Sequence, residues 1–576
     1  MLKQDEEKFP IEQTFSDHSV GAIEETSKGG WSNFIDSFKP LPQIEVDPNL
    51  SDIEKANILS AKSPLQRSLK SRHIQMISIG GAIGTGLFVG SGSALSSGGP
   101  ASLLIAYFIT GIMIFCTVHA LGELAVTFPV SGSFNQYNSR FVSPSWGFAM
   151  AWNYVMQWIV TLPLELVAAS ITIKFWNSKI NSAAWVSIFY VLIVGINFFG
   201  VKGYGEAEFI FSLIKVIAVV GFIILSVILV SGGGPSHEVI GARYWHDPGP
   251  FHSGFKGLCT VFVTAAFSFS GTELCGLTAA ETENPRKTLP RATKQVFWRI
   301  TLFYLVSLTM VGFLVGYNDD RLLGSSSVDI ASSPFVIAIR DNGIKVLPTI
   351  MNVVILVAVL SVGNSAVFAS SRTIASLAQQ GFGPKWFGYI DRAGRPLVGV
   401  GITLLVGLLC FLAASSKQDE VFTWLMALSG LSSIFTWGSI CFCHIRFRRA
   451  LAVKGRGTDE LPFTSGAGIW GSYFGTLLNS LVLVSQFWIA LFPVGEPPNA
   501  KVFFEAYLTV PVVIFLYLFH VIWKRKQFVL FFRAKDIDVD TGRRETDIEV
   551  LKAEIAEEKA YIKSRSIFFR FYKFWC

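Results

Sequence analysis

The sequence predicts an all-α polytopic membrane protein of about twelve transmembrane helices, and three observations carry that prediction. The chain of 576 residues is 51% hydrophobic and only 15% charged, with a mean hydropathy of +0.47, too apolar for a soluble chain of this length. Its charge gathers in two tails and a few loops. Between them lie long runs near the ~20 apolar residues a helix needs to cross a bilayer. They fall at 74–95, 101–125, 147–172, 183–200, 208–231, 257–280, 296–316, 347–371, 397–414, 421–445, 473–493 and 504–523.

Residues 1–72 are rich in Ser, Asp, Glu and Lys and read as a mostly disordered tail. Two patches suit local docking: Trp31 to Pro40, and Asp47 to Lys55, where Ser51 and Lys55 fit a short capped helix. The tail has no apolar h-region, so no cleavable signal peptide is expected. The core runs over 73–523 and a second tail over 524–576. In that tail, Ile548, Leu551, Ile555 and Ala556 recur at helical spacing within Asp547 to Tyr561, an amphipathic helix. The last residues, RFYKFWC, are basic and aromatic, an interfacial segment whose terminal Cys576 suits S-palmitoylation.

The net charge of +7 reads as basic loops against an anionic leaflet. No basic stripe interleaved with aromatics argues for nucleic acid. Cations follow the sixth span (Arg286, Lys287, Arg291, Lys294), the eighth (Arg372, Lys385, Arg392, Arg395) and the tenth (Arg446, Arg448, Arg449, Lys454, Arg456). The positive-inside rule then places both termini in the cytosol. Of the seven cysteines, six lie in or beside apolar runs, so no disulfide framework is expected. Cys441 and Cys443 lack a second ligand pair apart from the adjacent His444, so no metal is expected. No cofactor is expected either. The dipeptide Gly-Lys is absent, which removes a Walker A loop. No nucleophile, base and orienting group stand together, so an enzyme is not expected.

The first span reads IGGAIGTGLFVGSG over Ile79 to Gly92. Each glycine inside a helix costs about 0.5–1 kcal/mol relative to alanine. A span carrying Gly80, Gly81, Gly84 and Gly86 is predicted to be broken there. Broken helices survive at membrane depth where the freed backbone lines a cavity, and in secondary transporters such breaks form the substrate site. Small residues at Gly80 and Gly84 also serve close helix packing. A second polar, glycine-bearing interruption, Phe267 to Glu273 (FSFSGTE), lies in the sixth span. Spans one to five (73–231) and six to ten (257–445) then make two halves of opposite topology, and 473–523 adds two helices. The third span is also expected to be interrupted, at Pro163 and Glu165.

Paired breaks suit a zwitterion such as a free amino acid. Amides opening a half-helix hold a carboxylate, and carbonyls closing one hold an ammonium. The expected substrate-binding residues are Ala82, Ile83, Gly84, Thr85 and Gly86 from the first break, with Phe267, Ser268, Ser270 and Gly271 from the second. Intramembrane charge marks coupling. Lys215 reads either as snorkelling or as an ammonium set against first-span backbone and the hydroxyls of Ser361 and Ser365. Glu273 reads either as a proton carrier or as a carboxylate capping helix ends. Glu123 and Glu165 are weaker candidates.

The motifs then become specific. Gly98-Gly-Pro100 through Gly122-Glu123 to Pro129 resembles the amino-acid permease signature. GGAIGTGL, FSFSGTEL, AAETENPRKTLPRA and SVGNSAVFASSRT resemble the fungal branch of the amino acid–polyamine–organocation superfamily. DPNLSDIEK, VKGYGEAEF, KQVFWRITLFY, LSGLSSIFTWG, VDTGRRETD, EIAEEKA and the terminal FWC are similar to general amino-acid permeases of the yeast amino acid transporter family. The resemblance covers essentially the whole chain. It implies a five-plus-five inverted repeat with broken helices 1 and 6 (LeuT-like). It also implies proton-coupled uptake of L-amino acids at the plasma membrane, with broad specificity. Thr85 and Gly86 would bind the carboxylate, and carbonyls of Ala82, Phe267 and Ser270 the ammonium. Phe267 stands where relatives carry a gating aromatic. Lys215 and Glu273 would couple protons, Lys215 in place of a second sodium site. Membrane lipids, ubiquitin-ligase and trafficking machinery would engage the tails, with a lipid on Cys576. A narrow-specificity permease and an amino-acid sensor with little flux stay open as alternatives.

Overall fold

The computed structural model describes residues 35–41, 46–81, 83–176, 179–235, 237–323, 333–414, 418–495, 497–543 and 548–567. These residues are helical or irregular, and their only β-pairing is two single bridges, Pro40 with Asp391 and Leu69 with Thr282. All twelve predicted stretches contain helix. Among the described residues, eight helices are long and apolar enough to cross a membrane by length and composition. The pair Ala500–Tyr507 and Thr509–Trp523, bent by 65°, is long and apolar enough for a ninth if it is one span. The fourth and ninth spans, Ser182–Phe198 and Leu397–Leu412, are apolar but shorter.

One of the eight, Gly86–Thr127, merges the first and second predicted spans. It turns at Gly99, whose φ of 78° is left-handed, just before Pro100. A Cβ on Gly99 would sit 2.9 Å from the Pro250 oxygen and the His252 nitrogen. The loop that crowds it supplies the missing bonds: the Ala101 amide donates to the Pro250 carbonyl and the His252 amide to the Gly98 carbonyl, both at 2.9 Å.

The two predicted breaks are present. The first span runs as helix Ser71–Gly80, unwinds, and resumes as a π-helical turn, Gly86–Gly90. The sixth runs as Gly254–Phe269, turns over Ser270 to Glu273 with Gly271 at φ 92°, and resumes at Leu274. The expected interruption of the third span is corrected. Helix Pro144–Lys174 continues through Pro163, and Glu165 is buried with a partner rather than unwinding the chain. A proline removes one backbone bond, and packed neighbours hold a membrane helix across that gap.

Spans one, two, six and seven pack on one another, while the third lies along the eighth and tenth. Burial within the apolar windows places the centre. The third, sixth and eighth spans are 78%, 78% and 83% buried, against 28% for the fifth and 33% for the eleventh. The outer helices turn apolar side chains such as Ile217, Leu405 and Phe515 outward, the pattern of helices against lipid.

The described part of the first tail, 35–41 and 46–72, packs on the core. Ser51 and Glu54 form a capping box on helix Asp52–Ala61. Asn57 of that helix accepts from Gln136 (2.7 Å) and donates to Asp538 (3.2 Å), so both tails lie on one face. Buried Arg140 donates to the carbonyls of Asp538 and Thr541, each at 2.7 Å, and pairs with the Asp538 carboxylate at 3.2 Å. Burial works to raise the Asp538 carboxyl, but Arg140 and the amides of Asp540 and Thr541 outweigh it and hold the group below the usual carboxylate range. Residues 35–41 dock on the loop after the eighth span, where Arg395 covers the Phe38 ring. Polar tails thus become ordered by buried hydrogen bonds rather than by apolar area. The amphipathic helix is present as Ile548–Ser564, with Leu551 and Ile555 inward. Trp31 to Phe34, Asp547 and the terminal RFYKFWC with Cys576 lie outside the described residues.

Candidate functional site

The two breaks face each other. A Cβ on Gly86 would fall 2.5 Å from the Ser268 Cα, so the unwound segments approach as closely as backbones can. Beside them is a small cavity of about 10 Å³, lined by Gly84, Thr85, Gly86, Trp158, Thr161, Glu165, Phe267, Ser270 and Val362. Five of those nine were expected from sequence: Gly84, Thr85, Gly86, Phe267 and Ser270. The volume holds about one water, so a free amino acid enters only when the surrounding helices separate.

Gly84 to Gly86 open the resumed half of the first span, and helix geometry leaves its first amides without intrahelical acceptors. They suit an anion, with the Thr85 hydroxyl beside them. That hydroxyl donates to Glu165 Oε2 at 2.5 Å, while Glu165 Oε1 has no partner among the described residues. Ile83 is buried behind this turn, its amide bonded to the Gly80 carbonyl at 3.0 Å. Ala82 lies outside the described residues.

On the other break, Gln157 donates to the hydroxyls of Ser270 (2.8 Å) and Ser433 (2.9 Å). The Phe267 carbonyl accepts the Ser270 amide at 3.2 Å, and with two lone pairs it keeps capacity for an ammonium. Ser268 is more committed. Its hydroxyl meets Tyr107 and its carbonyl accepts from Tyr304, both at 2.7 Å. It therefore acts as an anchor behind the cavity. Gly271 supplies the left-handed turn and donates its amide to Glu273 Oε1 at 3.3 Å. Tyr154 donates to the same oxygen (3.2 Å) and the Trp437 indole to Oε2 (3.0 Å). Glu273 is fully buried at the start of the inner half-helix, a carboxyl placed to cap that helix or to hold a proton.

Lys215 does not snorkel; it is completely buried. Its ammonium donates to Ser361 at 2.8 Å, as expected. Ser365 instead meets the Tyr204 hydroxyl at 3.2 Å, which corrects that part of the expectation. The missed partner is Glu208, 3.5 Å from Lys215 and bonded by Ser361 at 2.7 Å and Ser212 at 3.2 Å. A signal for it exists: Glu208 is seven residues before Lys215, two turns away on one helix face. Gln157, Thr161 and Glu165 likewise recur every four residues on the third span, a polar stripe that points at the cavity. Glu123 stands apart, bound by His444, Arg448 and the Ser465 amide.

Comparisons with known proteins give the family. The family described as "Amino acid permease" matches residues 73–531, the predicted core almost to its edges. The chain is 65% identical over 552 residues to the general amino-acid permease GAP2 of Candida albicans, covering 95% of this chain and 94% of that one. It is 58% identical over 568 residues to the general amino-acid permease GAP1 of Saccharomyces cerevisiae, covering 97% and 94%. The tryptophan permease of the same yeast is 53% identical over 521 residues, covering 89% and 87%. A multi-pass helical chain with two facing breaks, matched over its core and by relatives along nearly its whole length, belongs to the amino acid permease family.

Proposed function

We propose that this permease takes up L-amino acids of broad specificity across the plasma membrane by proton-coupled alternating access. The observation that carries the reading is the meeting of the two breaks at one cavity, amides and a hydroxyl on one side and carbonyls on the other. That arrangement replaces water at both ends of a zwitterion and leaves the side chain to a separate wall. The wall joins Trp158, Thr161, Phe267 and Val362, mixed in size and polarity, which favours many side chains over one. Its one carboxyl, Glu165, meets the Thr85 hydroxyl at 2.5 Å while the cavity is closed, and that hydroxyl turns its one hydrogen to the substrate carboxylate when substrate enters. The relatives named general permeases are also more similar than the tryptophan permease. Residues 73–231 and 257–445 act as two repeats, each giving two spans to the bundle of spans one, two, six and seven, and that bundle rocks against the rest of the core. The tail face is cytosolic, and its lysines and Cys576 are the sites for ubiquitin and lipid.

The test is uptake of single radiolabelled amino acids in cells lacking their own permeases, with and without an uncoupler. Uphill uptake of acidic, basic and neutral substrates that collapses with the uncoupler supports the reading. Flux that needs sodium and ignores pH sinks it, and binding without flux favours a sensor.

Two substitutions locate the chemistry. Thr85→Val keeps size and removes a donor to a charged group, an interaction worth about 1.5–3 kcal/mol. The apparent KM should rise roughly tenfold or more with normal surface amount. Unchanged affinity removes Thr85 from the site. Glu273→Gln keeps the shape but gives up the exchangeable proton. Its accumulation should fall to the equilibrium level while substrate exchange persists, read as the inside-to-outside ratio at steady state. Full pH-dependent accumulation in Glu273→Gln moves the proton elsewhere.

A further inference from the structure

The seventh span carries a charge that the proposed function leaves unused. Arg299 is only 1% exposed. Its Nη1 donates to the Ser78 carbonyl at 2.8 Å, two residues before the inner half of the first span ends at Gly80. Its Nη2 donates to the Thr272 hydroxyl at 2.5 Å, inside the break of the sixth span. Thr272 passes its own hydrogen to the Phe269 carbonyl, also at 2.5 Å. One guanidinium fork therefore joins the two broken helices from a third.

The backbone around it is shaped for this. The helix widens to π-helical turns over Ile300–Val306, a rare distortion that is frequent at functional sites. Tyr304, within that stretch, donates to the Ser268 carbonyl at 2.7 Å and lays its ring 4.1 Å from that of Phe269. Arg299 and Tyr304 thus grip the second break on both sides, at Thr272 and at Ser268. Arg299 reaches the first span as well, at the Ser78 carbonyl. Both of its acceptors are neutral oxygens, which do not fully offset the burial of a charge. An apolar residue would fill the space at lower free-energy cost. The fork geometry is what it could not supply.

We propose that Arg299 is a positioning residue for the substrate site. It fastens the inner half of the first span to the turn of the sixth. The carboxylate cradle at Gly84 to Gly86 and the carbonyl side at Phe267 to Gly271 then keep one separation as the pathway opens and closes. This rests on the reading that substrate lies between the two breaks. Every α-amino acid has the same distance between its charged ends, so loss of the tie weakens all substrates alike.

The experiment is initial-rate uptake of glycine, leucine and lysine by Arg299→Gln, Thr272→Val and the double variant, with surface amount measured and Thr85→Val alongside. KM should rise roughly tenfold in each single variant, by one factor for all three substrates, with Vmax per surface molecule within about twofold. The double variant should be no worse than the worse single, because both break the same link, Arg299 to Thr272. An unchanged KM in either surface-expressed single variant, multiplying effects, or a fall in Vmax alone overturns the proposal. A purely structural role would lower surface amount and leave KM per molecule unmoved. Should Arg299→Gln fail to reach the surface, Thr272→Val, which preserves volume, decides alone. A raised KM in Thr85→Val with normal KM in the others overturns the tie only; normal KM in Thr85→Val as well overturns the placement of the substrate.

Discussion

Gly86→Ala should lower amino-acid uptake by about two orders of magnitude at unchanged surface amount, although it adds a single methyl group. The added Cβ would lie 2.5 Å from the Ser268 Cα, 2.8 Å from its nitrogen and 2.7 Å from its hydroxyl. Two of those three are backbone atoms and cannot rotate aside. Ser268 is also held from three directions, by Tyr107, by Tyr304 and by its own bond to the Thr264 carbonyl. The breaks must therefore move apart, and overpacking of this kind costs about 1–3 kcal/mol before any effect on the substrate geometry. A site that must bind both ends of a small zwitterion loses orientation with a displacement of about 1 Å. The control lies in the fifth span, where a Cβ on Gly221 would meet nothing within 4 Å. Gly221→Ala should transport normally and gain roughly 0.5–1 kcal/mol in helix stability. Initial rates, surface labelling and thermal midpoints of the two variants check this together. Normal uptake by Gly86→Ala would mean that the breaks do not keep this contact during transport.

What was legible in the sequence is what leaves a local mark. Glycines and polar residues inside apolar runs announce the two breaks, because helix propensity and bilayer solvation act residue by residue. Thr85, Gly86, Phe267 and Ser270 were found this way and line the cavity. Glu273 was found because an acid in an apolar span is unusual. The misses need information from other helices. Nothing local assigns Lys215 to Glu208 and Ser361 rather than Ser365; helix rotation decides that. Pro163 looked like a breaker, yet packed neighbours carry the third span through it. The docking of the described tail residues rests on a few buried polar bonds, Asn57 with Asp538 and Arg140 with Asp538, which composition does not register. Arg299 was hidden for the opposite reason. It stands among the basic residues near the end of a span, where a cation is ordinary, and its burial sets it apart.

Lys215→Met should leave little folded protein, and adding Glu208→Gln should restore folding without restoring proton-driven accumulation. Lys215 and Glu208 are both fully buried, with Ser361 bridging them: it accepts from the ammonium at 2.8 Å and donates to the carboxylate at 2.7 Å. Removing one member strands the other charge, a loss of about 3–5 kcal/mol, whereas replacing both by neutral groups is often close to neutral. Glu208→Gln retains an acceptor for the Ser361 and Ser212 hydroxyls, so the double variant leaves neither hydroxyl facing apolar atoms. The Lys215 position also matters beyond folding. Gly80 of the first span packs against Ser212, one turn before Lys215, so the charged pair stands directly behind the first break. Size-exclusion profiles and thermal midpoints read the folding, and steady-state accumulation with and without an uncoupler reads the coupling. If the double variant accumulates substrate normally, the pair is scaffolding and the proton is carried by Glu273 or another group. If it folds and only equilibrates substrate, Lys215 belongs to the coupling machinery. If Lys215→Met alone folds normally, Glu208 must already hold a proton in that variant, because an unpaired carboxylate so deeply buried would otherwise unfold this part of the protein.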